Sequence, residues 1–168
     1  MVNVRRWIKH VFMPPWAWRR AFPQATLDAI EAAIRQSETR HAGEIRFAIE
    51  ASLAPARVWR GISGRERAVE VFSRLRMWDT EHNSGVLIYL LLADHNIEIV
   101  ADRGIAARVD QSAWETVAQA MEAAFRQGEF ERGVLDGISQ ISALLAAHFP
   151  PAGRNPDELA DRPVIITQ

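Results

Sequence analysis

Gly85-Val86-Leu87-Ile88-Tyr89-Leu90-Leu91-Leu92-Ala93-Asp94-His95-Asn96-Ile97-Glu98-Ile99-Val100-Ala101-Asp102 decides the fold. Residues Gly85–Ala93 are almost wholly apolar, as in a central strand covered on both faces. Asp94-His95-Asn96 supplies turn residues. Ile97–Asp102 then alternates, with Ile97, Ile99 and Ala101 opposed to Glu98, Val100 and Asp102, which predicts a second strand and a hairpin. A polar stretch, Trp78–Ser84, leads into it and carries Asp79, Glu81 and Asn83.

Upstream, Ser63-x-x-Glu66 is a capping box that opens a helix to about Arg76, with Ala68, Val71, Phe72 and Leu75 buried. Residues 53–62 read as a loop. Glu44–Ser52 alternates as a strand, with Ile45, Phe47 and Ile49 on one side and Glu44, Arg46 and Glu50 on the other. Before it, Thr26 caps a helix through about Arg40. Downstream, Ser112-x-x-Glu115 is a second capping box. The helix behind it buries Trp114, Val117, Met121 and Phe125 and stops at Gly128. A last helix spans about 129–148. Helices must cover both faces of the apolar strand, so the fold class is α/β: a three-layer α/β/α sandwich with a small mixed sheet. Residues 1–23 form a basic aromatic arm, 24–149 the domain and 150–168 a proline-rich, loosely ordered tail.

The 168 residues suit one such domain. A net charge of −1 gives no footprint for nucleic acid, which is not an expected partner. With no cysteine there is no disulfide, thiol nucleophile or cysteine zinc site. The charge is unevenly placed. Arg5, Arg6, Lys9, Arg19 and Arg20 stand without an acid among residues 1–22, together with Trp7, Phe12, Trp16, Trp18 and Phe22. The arm's apolar runs are too short for a secretory signal or a membrane span. Its basic residues with Trp7, Trp16 and Trp18 suit an anionic membrane surface or a membrane-bound protein partner. They equally suit packing on the domain or on a second subunit.

If Glu44–Ser52 and Gly85–Ala93 run parallel, loop 76–84 and the end of the second hairpin strand share one edge of the sheet. Asp79, Glu81, Asn83 and Asp102 then converge, with Asp110 close by. Such oxygen donors suit a hard cation, Ca²⁺ or Mg²⁺, and with Arg103 could hold a phosphoryl group through it. The same residues also serve as solvated loop, turn and capping groups. The five histidines show no paired ligand spacing, and Ser84 has no recognisable base.

Arg67-Ala68-x-x-x-Phe72, the loop into Gly85-Val86-Leu87, the Arg103-Gly104-Ile105 turn and the run Ala124-Phe125-Arg126-Gln127-Gly128-Glu129-Phe130-Glu131-Arg132-Gly133 resemble the TPM domain family over about residues 24–148. The resemblance implies the same mixed sheet between helix layers. It also implies one of three roles: divalent-metal binding, acid-phosphatase activity, or maintenance of membrane and protein complexes. Where the family often has Asp-Asn before the central strand, this chain has Asn83-Ser84. Where the family often has Gly-Tyr-Gly after the second strand, this chain has Asp102-Arg103-Gly104. Many members are exported and anchored. Here neither signal is present, and the expectation is a cytoplasmic protein at the inner membrane face. The leading expectation is a non-enzymatic partner-binding or membrane-associated module. The alternative is a metal-dependent phosphatase using Asp79, Glu81 and Asp102.

Overall fold

The structure is a computed structural model, and it describes residues 3–151, 153 and 158–167. In chain order its elements are α1 (Val4–Phe12), α2 (Trp18–Ala21), α3 (Gln24–Glu38), β1 (Glu44–Glu50), α4 (Pro55–Trp59), α5 (Gly64–Arg74) and β2 (Gly85–Leu91). A short 3₁₀ turn (Leu92–Asp94) leads to β3 (Asn96–Ala101), α6 (Arg103–Ala106), α7 (Gln111–Arg126), α8 (Phe130–His148) and β4 (Val164–Ile166).

The sheet order is β3-β2-β1-β4. β1 and β2 are parallel, with Glu44 opposite Gly85 and Glu50 opposite Leu91. β3 returns antiparallel from β2, with Val86 opposite Ala101. Every residue of β2 is buried, as its unbroken apolar run requires. Ile45, Phe47, Ile49, Val86, Ile88, Leu90, Ile97 and Ile99 pack against α3, α7 and α8. Ala48, Leu87, Tyr89, Leu91 and Val100 face α5, where Ala68, Val71 and Phe72 meet them. Helices therefore cover both faces of a mixed sheet, the α/β/α sandwich. Each fully buried Ile, Leu or Phe contributes about 1.5–3 kcal/mol, so the two apolar layers set the strand register.

The Phe-x-x-Gly-x-Phe run is the turn between α7 and α8. Gly128 stands at φ +78°, a left-handed conformation that ends α7. Phe125 and Phe130 then stack at 5.2 Å between centroids. The Ser63/Glu66 box closes in both directions at the start of α5.

Several boundaries differ from expectation. Residues 55–59, read as loop, form α4 behind Pro55, whose fixed φ suits a first helical turn. α3 opens earlier, behind Pro23, and Thr26 is buried with its hydroxyl bonded to Glu131. α7 opens at Gln111 with Asp110 at its N-cap, so Ser112 lies inside the helix and the second capping box does not form. The arm is ordered into α1 and α2. The tail is not loose at 164–166: β4 pairs parallel with β1, with Ala48 opposite Val164 and Glu50 opposite Ile166. β1 would otherwise present an open edge of unpaired backbone groups. Residues 152, 154–157 and 168 of the tail lie outside the described residues.

Candidate functional site

The two ends of the β1–β2 pair carry different chemistry. At the N-terminal end, Asp79 pairs with Arg76 at 2.7 Å, and both are exposed. Glu81 is exposed, and its backbone N–H donates to the Glu158 carboxylate at 3.0 Å. Asn83, at φ +51°, accepts from Arg103 Nε at 3.1 Å. Asp102 caps α6, with Oδ1 accepting from the Arg103 N–H at 2.7 Å. Its Oδ2 is buried without a hydrogen-bond partner. A Cβ on Gly104 would stand 2.6 Å from the His82 carbonyl oxygen, so only glycine lets the α6 turn lie against this loop.

The topology thus brings Asn83 and Asp102 together through Arg103, while Asp79 and Glu81 find partners in Arg76 and the tail. Among the described residues no group of three His, Asp or Glu side chains is arranged to hold a metal ion. The donors are not gathered into one ligand set. Ser84 is buried, its N–H donating to Thr80 Oγ1.

Next to this edge, the half-buried Glu38 and the buried Glu44 and Asp161 crowd the start of β1. Glu38 accepts from the Ile45 N–H at 2.8 Å, and Glu44 accepts from the Leu159 N–H at 3.2 Å. Asp161 receives Arg35 Nε at 3.2 Å. Burial pushes the Glu38 carboxyl up to about 9, against the Ile45 N–H bond and with help from Glu44 and Asp161.

At the C-terminal end carboxylates meet cations. Asp94 accepts from Arg6 Nε at 2.9 Å and from His10 Nε2 at 3.2 Å. His10 Nδ1 accepts from the Leu53 N–H at 2.9 Å, which places the ring proton on Nε2. Arg6 also donates to the Ile62 carbonyl at 2.8 Å. Burial opposes ionisation of Asp94, but the bonds from His10 and Arg6 outweigh it and hold the carboxyl below its ordinary range. One turn inside, Glu50 takes a two-pronged bond from Arg67 (2.8 and 3.0 Å) and the Tyr89 hydroxyl (2.6 Å).

The consequence for α1 is an inverted orientation. Its polar residues Arg6 and His10 face the domain beside the half-buried Trp7, and Val4, Ile8, Val11 and Phe12 are exposed, Phe12 with 78% of its surface. α1 packs beside α4, which carries the exposed Trp59. Trp16 is exposed as well. Arg5, Lys9, Arg19 and Arg20 are exposed, whereas Trp7 and Trp18 are half-buried against the two apolar layers. His10, Asp94 and Glu50 carried no site signal in the sequence, and Arg67 stood out only in the family resemblance. The spacing 4, 8, 11, 12 opposite 6 and 10 was a readable signal for α1. Asp94 lay 84 positions from His10, beyond any local pattern.

The sequence pattern of the TPM domain matches residues 19–144. The chain resembles the solved structure of the BA42 protein from the psychrophilic bacterium Bizionia argentinensis, at 34% identity and a TM-score of 0.74, over 84% of this chain and 92% of that one. It also resembles the N-terminal domain of a protein from P. gingivalis, at 13% identity and a TM-score of 0.59, over 84% and 95% of the two chains. The latter likeness shows the fold alone. No curated protein matches. Among the described residues no helix is long and apolar enough to cross a membrane.

Proposed function

The chain belongs to the TPM domain family, and we propose that it works as a membrane-surface module that docks on anionic lipid through the outward face of α1. The observation that carries this reading is the inverted helix. A surface helix ordinarily buries its apolar stripe and exposes its charges. Here Arg6 and His10 are spent on Asp94 and Leu53, and Val4, Ile8, Val11 and Phe12 are left in water. Exposed apolar patches of this kind mark interaction sites. Charge selects the occupant. Arg5 and Lys9 lie on α1, and Arg19 and Arg20 follow on α2, with no ion-pair partner among the described residues. Each contributes about 1 kcal/mol beside an anionic leaflet, and tryptophan and phenylalanine favour the interfacial layer.

Tryptophan emission tests the docking. Titration with phosphatidylglycerol-containing vesicles shifts the emission of Trp16 and Trp59 to the blue, and the shift fades with salt. An unchanged spectrum at low salt refutes the proposal.

A second reading places a divalent cation at the N-terminal edge, supported by the buried, unpartnered Oδ2 of Asp102 and serving a metal-dependent phosphatase. Ca²⁺ or Mg²⁺ at millimolar concentration then raises the melting temperature, and Asp102→Asn abolishes the rise. No rise in the unaltered protein removes this reading.

A further inference from the structure

We propose that the 380 Å³ cavity lined by Arg57, Arg67, Arg74, Glu50, Glu70 and Thr167 binds a phosphate monoester group, and that the Glu70 carboxylate occupies that group's place in this structure. The cavity belongs to neither the acidic edge nor the α1 face, and the proposal does not depend on membrane docking.

Glu70 is held as an anionic ligand would be. Its carboxylate accepts from Arg57 Nη1 at 2.6 Å and Nη2 at 2.9 Å, and it lies 2.7 Å from Arg67 Nη1. A carboxylate between guanidinium forks has the geometry in which arginines hold phosphate. The bond from Arg57 keeps the Glu70 carboxyl below its ordinary range, so it sits there as a charge.

Arg67 is the fixed part of the cationic wall, and Glu70 is the more exposed partner. The Arg67 side chain is 5% exposed and clamped by Glu50, which in turn receives the Tyr89 hydroxyl. The Glu70 side chain is 45% exposed and can swing into water. Once it leaves, three guanidiniums face the single carboxylate of Glu50, itself engaged by Arg67 and Tyr89.

The number of cations favours phosphate over carboxylate. The two oxygens of Glu70 occupy Arg57 and Arg67, while Arg74 lines the cavity without a carboxylate partner among the described residues. A phosphate monoester supplies the additional oxygen and the second negative charge that Arg74 would take. Thr167, at the rim beyond β4, offers a hydroxyl. The same chemistry is found in free phosphate and in a small organic monoester such as glycerol 3-phosphate.

Amide NMR shifts of the full chain, titrated with inorganic phosphate, test the site. Saturable shifts in α4 and α5 are expected. Glu70→Gln removes the competing charge and tightens phosphate roughly five-fold, the worth of one exposed ion pair. Arg57→Gln with Arg74→Gln abolishes the shifts. A merely structural role for Glu70 predicts no gain in affinity. Equal affinity in wild type and Glu70→Gln, shifts that survive the double arginine change, or no saturable shifts in Glu70→Gln would each overturn the proposal. In a second arm, tighter binding of glycerol 3-phosphate than of phosphate assigns the site to an organic monoester. Equal binding assigns it to free phosphate. Both results support the site.

Discussion

The two ends of the β1–β2 pair solve the same problem, a carboxylate near the core, in opposite ways. At the C-terminal end Glu50 and Asp94 are paired, Glu50 by Arg67 and Asp94 by Arg6 and His10 from the start of the chain. At the N-terminal end Glu38 has no guanidinium partner among the described residues, lies beside Glu44 and Asp161, and keeps its proton instead. The loop acids Asp79 and Glu81 escape the problem by staying in water. A buried acid paired by a remote cation thus fixes an element of the fold, and here that element is the arm. An exposed acid paired with its neighbour fixes little.

Four substitutions bear on this contrast, from the largest effect to the smallest. Arg67→Met leaves Glu50 buried without its cation and costs about 3–5 kcal/mol in urea denaturation. A loss below about 1 kcal/mol would mean that Glu50 is not shut off from water. Asp94→Ala leaves the His10 Nε2–H buried without its acceptor and Arg6 without its carboxylate, costing about 2–3 kcal/mol. It also makes the chain between Phe12 and Trp16 sensitive to limited proteolysis, and unchanged digestion would show that α1 is held by other contacts.

Glu38→Gln works in the other direction. Folded Glu38 holds its proton up to about 9, whereas the unfolded chain releases it near the ordinary value of 4.5. Unfolding therefore releases a proton across that window, and the native state loses stability as pH rises through it. Glutamine keeps the bond from the Ile45 N–H and does not ionise. The variant is more stable than wild type by about 1–2 kcal/mol at pH 8, and the gap closes toward pH 4.5. A gap independent of pH would contradict the assignment. Asp79→Ala changes stability by less than about 0.5 kcal/mol, as for other exposed ion pairs.

The same contrast explains what could be read from the sequence. The unbroken apolar run of β2 and the alternation of β1 and β3 follow from burial on two faces or one, so strands and layers were legible. The approach of Asn83 to Asp102 followed from the hairpin topology. Glu50 misled, because a polar residue in an alternating strand looks solvated, and only the covering helix α5 shows that it is buried. β4 was hidden because three residues among prolines carry no period of their own and pair only because β1 has a free edge. The outward face of α1 was hidden for a different reason. Its amphipathic pattern was present, but which side faces the domain depends on Asp94, far along the chain.

That outward face is the centre of the account, and vesicle flotation tests it most directly. Ile8 is 46% and Phe12 78% exposed, so Ile8→Asn with Phe12→Asn should leave the melting temperature nearly unchanged. Wild-type protein floats with phosphatidylglycerol-containing vesicles and stays behind with neutral ones, while the double variant stays behind with both. If the variant floats as wild type does, or if wild type fails to float, the apolar side of α1 is not a membrane-docking face.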